Sequence, residues 1–178
     1  MDPELEKLCD KLYKLACEVN SELYYQYDGS MESMYQDALA SEMRKKKYVY
    51  HTETVIDLHY KDFPVKDAEA DFVIMFGGPN KFEENVIMEV KHPTSSNLPK
   101  VRLQLFTYLY SGPTNNNPMV KELKYGIALV WPTQSTPTMS EDGRFAELKV
   151  PIPKPILELW KTVNKNKRTK FELLKTWS

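Results

Sequence analysis

Along the first 47 residues apolar side chains recur every three or four positions, and from Tyr48 onward the period falls to two. That switch commits the chain to amphipathic helices followed by a sheet. Leu5, Leu8, Leu12, Leu15, Val19 and Leu23 form one stripe, opened by Asp2 as a cap and Pro3 in the first turn. The spacing predicts a helix from about residue 3 to 26, broken by Asp28-Gly29-Ser30. Met31, Met34, Tyr35, Ala38, Leu39 and Met43 repeat the stripe in a second helix. Its end carries Arg44-Lys45-Lys46-Lys47, where positive charge complements the helix dipole.

Strand signals follow. Tyr48 to Tyr60 alternates Thr54, Ile56 and Leu58 with Val55, Asp57 and His59. "ADFVIMF" (70–76) and "NVIMEVK" (85–91) read as two further strands joined by the turn Gly77-Gly78-Pro79-Asn80. Leu98 to Tyr110 reads as a helix, "SGPTNNNP" as a loop, and "YGIALVW" (125–131) as a buried strand. "AELKVPI" is expected to add an edge strand, and "PILELW" and "KFELLKTW" to end the chain as short helices. The order α–α–β–β–β–α–β predicts an α/β fold, a mixed sheet with helices against it. The expected organisation is one domain over residues 1–178, with a core of about 20–131 and a C-terminal extension from about 132 to 178.

With 42% hydrophobic and 12% aromatic residues the chain can bury a core, which excludes a disordered tail. The net charge of −1 is unevenly spread. From Lys154 onward seven Lys and Arg stand against two Glu, +5, leaving −6 on residues 1–153. A basic end of that kind can follow a phosphate backbone, or can simply be a solvated face. Cys9 and Cys17, on one helix, would lie about 12 Å apart along its axis, too far to bridge. There is no CxxC zinc pattern, no signal peptide and no apolar run long enough to span a membrane. A reducing, intracellular setting (cytoplasmic or nuclear) and no membrane partner are therefore expected.

The strand "NVIMEVKHP" ends in two opposite charges. Residues two apart share a strand face, so Glu89 and Lys91 project together while Val90 points the other way. If 70–76 and 85–91 form a hairpin, Asp71 at the start of one lies near Glu89 at the end of the other. Two carboxylates converging beside an ammonium make a site for a hard cation such as magnesium, which leaves places for water and phosphate. Glu-x-Lys itself is common, occurring also at Glu122/Lys124 and Glu147/Lys149. Only the first ends an apolar strand that an Asp-bearing strand can face. Gln104 and Tyr108, at i and i+4, share a face of the following helix. Gly29, Glu32 and Tyr35 open the second helix.

In order and spacing, Gly29-x-x-Glu32-x-x-Tyr35, Tyr60-Lys61, Asp71, Glu89-Val90-Lys91 and Gln104-x-x-x-Tyr108 resemble the GxxExxY branch of the PD-(D/E)XK nuclease-like superfamily, over roughly residues 20–131. The resemblance implies a restriction-endonuclease-like αβββαβ core, here with an extra N-terminal helix. It implies a Mg- or Mn-dependent nuclease acting on DNA or RNA through a metal-activated water. Asp71, Glu89 and the Val90 carbonyl would be metal ligands, Lys91 the catalytic lysine, and Glu32 the helix glutamate reaching the metal or its waters. Gln104 and Tyr108 would border the site. Glu69 adds a carboxylate two residues before Asp71, where the family tends to a small or basic residue.

Lys45, Lys46 and Lys47, Lys100 and Arg102, and the stretch "KNKRTK" (165–170) are the candidate nucleic-acid contacts. His51, His59 and His92 read as structural or solvent-exposed, with His92 facing away from the metal if its strand continues. An alternative on the same fold is a catalytically inactive nucleic-acid-binding or protein-interaction module, and a further one is a structural domain with surface charges.

Overall fold

A computed structural model describes residues 1–26, 33–61, 63–92, 98–133, 137–147, 151–165 and 168–178. Helix α1 (Pro3–Leu23) is capped by the Asp2 carboxylate, which accepts from the Glu4 and Leu5 amides, and it buries the predicted leucine stripe. Helix α2 (Met34–Lys45) buries Tyr35, Leu39 and Met43. Then come β1 (Val49–Tyr60), β2 (Phe63–Met75), β3 (Val86–Lys91) and α3 (Leu98–Ser111). A 3-10 turn at Gly112–Thr114 and a short α4 (Pro118–Lys121) lead to β4 (Tyr125–Val130). Strands β5 (Thr138–Met139) and β6 (Ala146–Glu147) form a small separate ribbon before β7 (Ile156–Lys165) and β8 (Arg168–Trp177).

The main sheet has six strands in the order β1-β2-β3-β4-β7-β8. Only β3 and β4 run parallel, with α3 making the crossover between them. Alternate residues of the central strands feed two cores. Phe72, Ile74, Met88, Val90, Ile127 and Leu129 pack with α1 and α2, whereas Val73, Ile87, Ala128 and Val130 pack with α3. The chain thus forms a mixed α/β sheet covered on both faces, consistent with the restriction-endonuclease-like arrangement. Gly126 lets α3 sit close to the sheet, since a Cβ there would lie 2.7 Å from a Leu105 methyl.

Three segments differ from expectation. Strand β2 begins at Phe63 rather than residue 70. Residues 63–67 are exposed, so this part of the strand carries no apolar periodicity to read. The expected terminal helices are strands: "PILELW" lies in β7 and "KFELLKTW" in β8. In β7, Leu157 and Leu159 face α1 while Trp160 packs in the α3 layer. The alternation of β7 is regular, but Glu158 takes an inward position that breaks its apolar pattern, and in β8 a register shift that skips Leu174 moves the apolar residues from one face to the other. These two strands, expected to lie outside the core, extend the main sheet, β7 pairing with β4 and β8 with β7. Strand β8 is pinned to α1 by Lys175 Nζ to Glu6 Oε1 and Trp177 Nε1 to Asp10 Oδ1, both 2.6 Å. Finally, only Ala146–Glu147 of "AELKVPI" is strand among the described residues, and it does not join the main sheet. No helix among the described residues is long and apolar enough to cross a membrane.

Candidate active site

Pairing of β2 with β3 runs from Ile74↔Val86 to Phe72↔Met88 and then stops. One step further the same register would set Asp71 opposite Glu89. There the backbone ladder is replaced by a side chain: the Val90 N–H donates to Asp71 Oδ2 at 2.8 Å. Glu89, at the end of β3, has a side chain only 2% exposed, and Lys91 Nζ donates to its Oε1 at 3.1 Å. Its other oxygen, Oε2, is buried and has no hydrogen-bond partner among the described residues. An orphaned carboxylate oxygen in a protein interior is costly unless something outside the chain satisfies it.

Electrostatics point the same way. Burial, and then the neighbouring Asp71 carboxylate, push Glu89 up to about 7, against the pull of Lys91. Burial also raises Asp71, opposed by the Val90 N–H, Lys91, Glu89 and His92. Two like charges share one desolvated space, the situation in which a cation binds most favourably. Among the described residues no group of three or more His, Cys, Asp or Glu side chains gathers into a metal-ligand set. What is present is the Asp71–Glu89 pair, one orphaned oxygen and the adjoining backbone of Val90. That donor set fits a hard divalent ion, which takes few protein oxygens and retains water.

Around the pair, Ser33, Gln36, Asp71, Val90, Lys91, His92 and Trp131 line a concavity of about 270 Å³. The first turn of α2 forms its wall, through Ser33 and Gln36. Behind it the buried rings of Tyr35 and Trp131 pack 5.1 Å apart, and Trp131 Nε1 donates to the Ala16 carbonyl. On the α3 side, Tyr108 donates its hydroxyl to the Glu69 carbonyl at 3.1 Å, and Gln104 hydrogen-bonds the same hydroxyl. Burial and the Glu89 and Asp71 charges hold the Tyr108 phenol far above its ordinary value, so it stays a neutral donor. Glu69 contributes its carbonyl, and its exposed residue lies on the outside of β2.

The expected site residues therefore divide. Asp71, Glu89, Val90, Lys91, Gln104 and Tyr108 come together. Glu32 and Gly29 lie outside the described residues. His92 corrects its expectation: β3 ends at Lys91, so strand alternation no longer turns His92 away, and it lines the concavity. Arg102 is corrected as well. Its guanidinium grips the buried Glu158 through Nε at 2.8 Å and Nη2 at 2.5 Å, an internal ion pair completed by Trp160 Nε1. Lys45 pairs with Glu42 at 2.6 Å. The Lys45–Lys47 run sits at the opposite end of the sheet from the site. Val49 pairs with Met75, four residues along β2 from Asp71, about 13 Å of strand. Lys100 is exposed on the first turn of α3, and of the 165–170 stretch residues 166 and 167 lie outside the described residues.

Sequence reasoning missed Ser33, Gln36, Trp131 and His92. Gln36 directly follows the expected motif tyrosine, and Trp131 ends the strand paired with β3, so both had a positional signal.

A six-stranded mixed sheet, with a buried Asp and a Glu-x-Lys meeting where two strands part, is the arrangement of a nuclease-type fold. The family model for the PD-(D/E)XK nuclease superfamily matches residues 6–117, and the chain belongs to that superfamily. No curated protein and no solved structure matches the chain.

Proposed function

We propose that the protein is a metal-dependent nuclease hydrolysing phosphodiester bonds of DNA or RNA, of the GxxExxY type. The observation that carries this reading is the buried Asp71–Glu89 pair, with Glu89 Oε2 lacking a partner and an ammonium 3.1 Å from Oε1. Asp71, Glu89 and the Val90 carbonyl would hold Mg²⁺ or Mn²⁺, with Glu32 as a further contributor. When bound, such an ion lowers the pKa of water and offsets charge developing on phosphorus. The chain's own groups do the rest. Lys91 places a fixed positive charge beside the scissile phosphate, where charge grows in the transition state. His92 and Gln36 border the space that a phosphate would enter, and the neutral Tyr108 with Gln104 braces the wall behind Glu89. Lys100, exposed at the start of α3, would meet the phosphate backbone.

A second reading is a non-cleaving module on the same fold, for nucleic acid or a protein partner. It is favoured by the acidic flank of the site, where Glu53, Asp67 and Glu69 are exposed on β1 and β2. Incubation of the purified protein with single- and double-stranded DNA and RNA, with Mg²⁺ or Mn²⁺ across pH 6–9, separates the two. Cleavage that EDTA stops and Glu89→Ala abolishes supports the nuclease. Intact substrate under every condition, with binding retained, supports the module.

A further inference from the structure

Among the described residues, three other than glycine have positive φ: Lys47 at 63°, Glu53 at 51° and Lys61 at 55°. Lys47 follows the end of α2 and Lys61 sits between β1 and β2, places where left-handed backbone is ordinary. Glu53 is in the middle of a strand. A residue with a Cβ is rarely found left-handed there, and such outliers concentrate where the surrounding structure imposes them.

The neighbouring pairs, Thr52↔Phe72 and Thr54↔Ala70, put Glu53 opposite Asp71. The two strands exchange faces at this point. Tyr50 packs its ring 5.8 Å from Phe72, in the core against α1 and α2. Past Glu53, Ile56 of β1 and Ala70 of β2 pack in the core against α3. Even-numbered residues thus point one way before Glu53 and the other way after it. The reversal falls at the left-handed residue of β1, and the pairing with β2 keeps its register through it. It coincides with the place where β2 leaves β3. If the ladder continued, Ala70 would stand opposite Val90 and supply a backbone acceptor for its N–H. Instead the Asp71 carboxylate takes that N–H, beside the buried Glu89.

We infer that Glu53 is a positioning residue: its left-handed backbone, and not its exposed carboxylate, parts β2 from β3 and aims Asp71 at Val90 and Glu89. The consequence for metal binding rests on the nuclease reading above, but the backbone claim does not.

The test compares Glu53→Gly, Glu53→Ala and Glu53→Ile by hydrogen exchange at the Val90 amide and by Mn²⁺ titration. Glycine adopts the left-handed conformation freely, alanine with difficulty, and a β-branched residue least of all. Glu53→Gly is expected to keep Val90 protected and Mn²⁺ affinity within about twofold of the parent, whereas Glu53→Ile speeds exchange and weakens Mn²⁺ each by about tenfold or more. Glu53→Ala should fall between. The inference is overturned if Glu53→Gly loses as much as Glu53→Ile, because the carboxylate is then what matters. It is equally overturned if Glu53→Ile changes neither readout. Should Glu53→Ile fail to fold, equal behaviour of the alanine and glycine variants overturns it, and a gap between them sustains it. If the parent protein binds no Mn²⁺, the metal assignment fails, and exchange at Val90 alone decides this inference.

Discussion

Asp71 and Val90 are tied by a 2.8 Å hydrogen bond from a backbone amide to a side-chain oxygen, at the point where β2 and β3 cease to pair through their backbones. That substitution of carboxylate for carbonyl keeps the Val90 amide satisfied where the ladder ends. It also leaves two acids competing for one desolvated space.

Metal-free protein should therefore lose stability as pH rises. Glu89 is raised from its ordinary value of 4.5 to about 7 in the folded state. A raised acid contributes its stability fully below the unfolded value and loses it as pH climbs through the folded one. The window is about pH 4.5 to 7, and a rise of this size corresponds to on the order of 3 kcal/mol. Asp71 moves in the same direction. Thermal unfolding in EDTA at pH 5 and pH 8 checks this. Wild type should lose more on going to pH 8 than Glu89→Gln, and Mn²⁺ should restore the difference.

Lys91 should matter for turnover more than for holding the ion. Its side chain is 21% exposed and Lys91 lines the concavity, while the carboxylates supply the oxygens. Lys91→Met is expected to lower the cleavage rate by about 10²-fold or more, the scale of losing one transition-state charge contact. Mn²⁺ affinity, measured by calorimetry, should change by less than about tenfold, because removing one nearby positive charge also relieves competition for Glu89.

Arg102 should behave as a structural residue. Removing it leaves Glu158, only 3% exposed, as a buried charge held by Trp160 alone. Arg102→Ala is expected to cost about 2–4 kcal/mol in chemical denaturation, below the fully buried case because the guanidinium is partly solvated. The salt dependence of nucleic-acid binding should be unaltered. A reduced slope would return Arg102 to the phosphate contacts.

Much of this fold was legible because burial wrote a period into the chain. The stripes of α1 and α2, the alternation in β1 and the apolar runs of β3 and β4 each reflect a face packed against a neighbour. The convergence of Asp71 and Glu89 followed from the turn at Gly77–Asn80 and from strand geometry alone. Where solvent replaces a neighbour the signal disappears, as in the exposed first half of β2. In β8 a register shift mixes the two faces, and in β7 the buried Glu158 occupies a position where an apolar residue would have announced a strand. Arg102 looked like a surface charge for the same reason, since its partner is distant in sequence. Glu53 carries no sequence signal, because its role resides in a backbone angle.

The central claim is that Asp71 and Glu89 share one divalent ion. Anomalous diffraction from crystals soaked in Mn²⁺ tests it most directly. The account predicts a single manganese peak within direct coordination distance of an Asp71 oxygen and of Glu89 Oε2, lost in Glu89→Ala. Manganese absent from that gap, or bound elsewhere with both carboxylates uncoordinated, would contradict it.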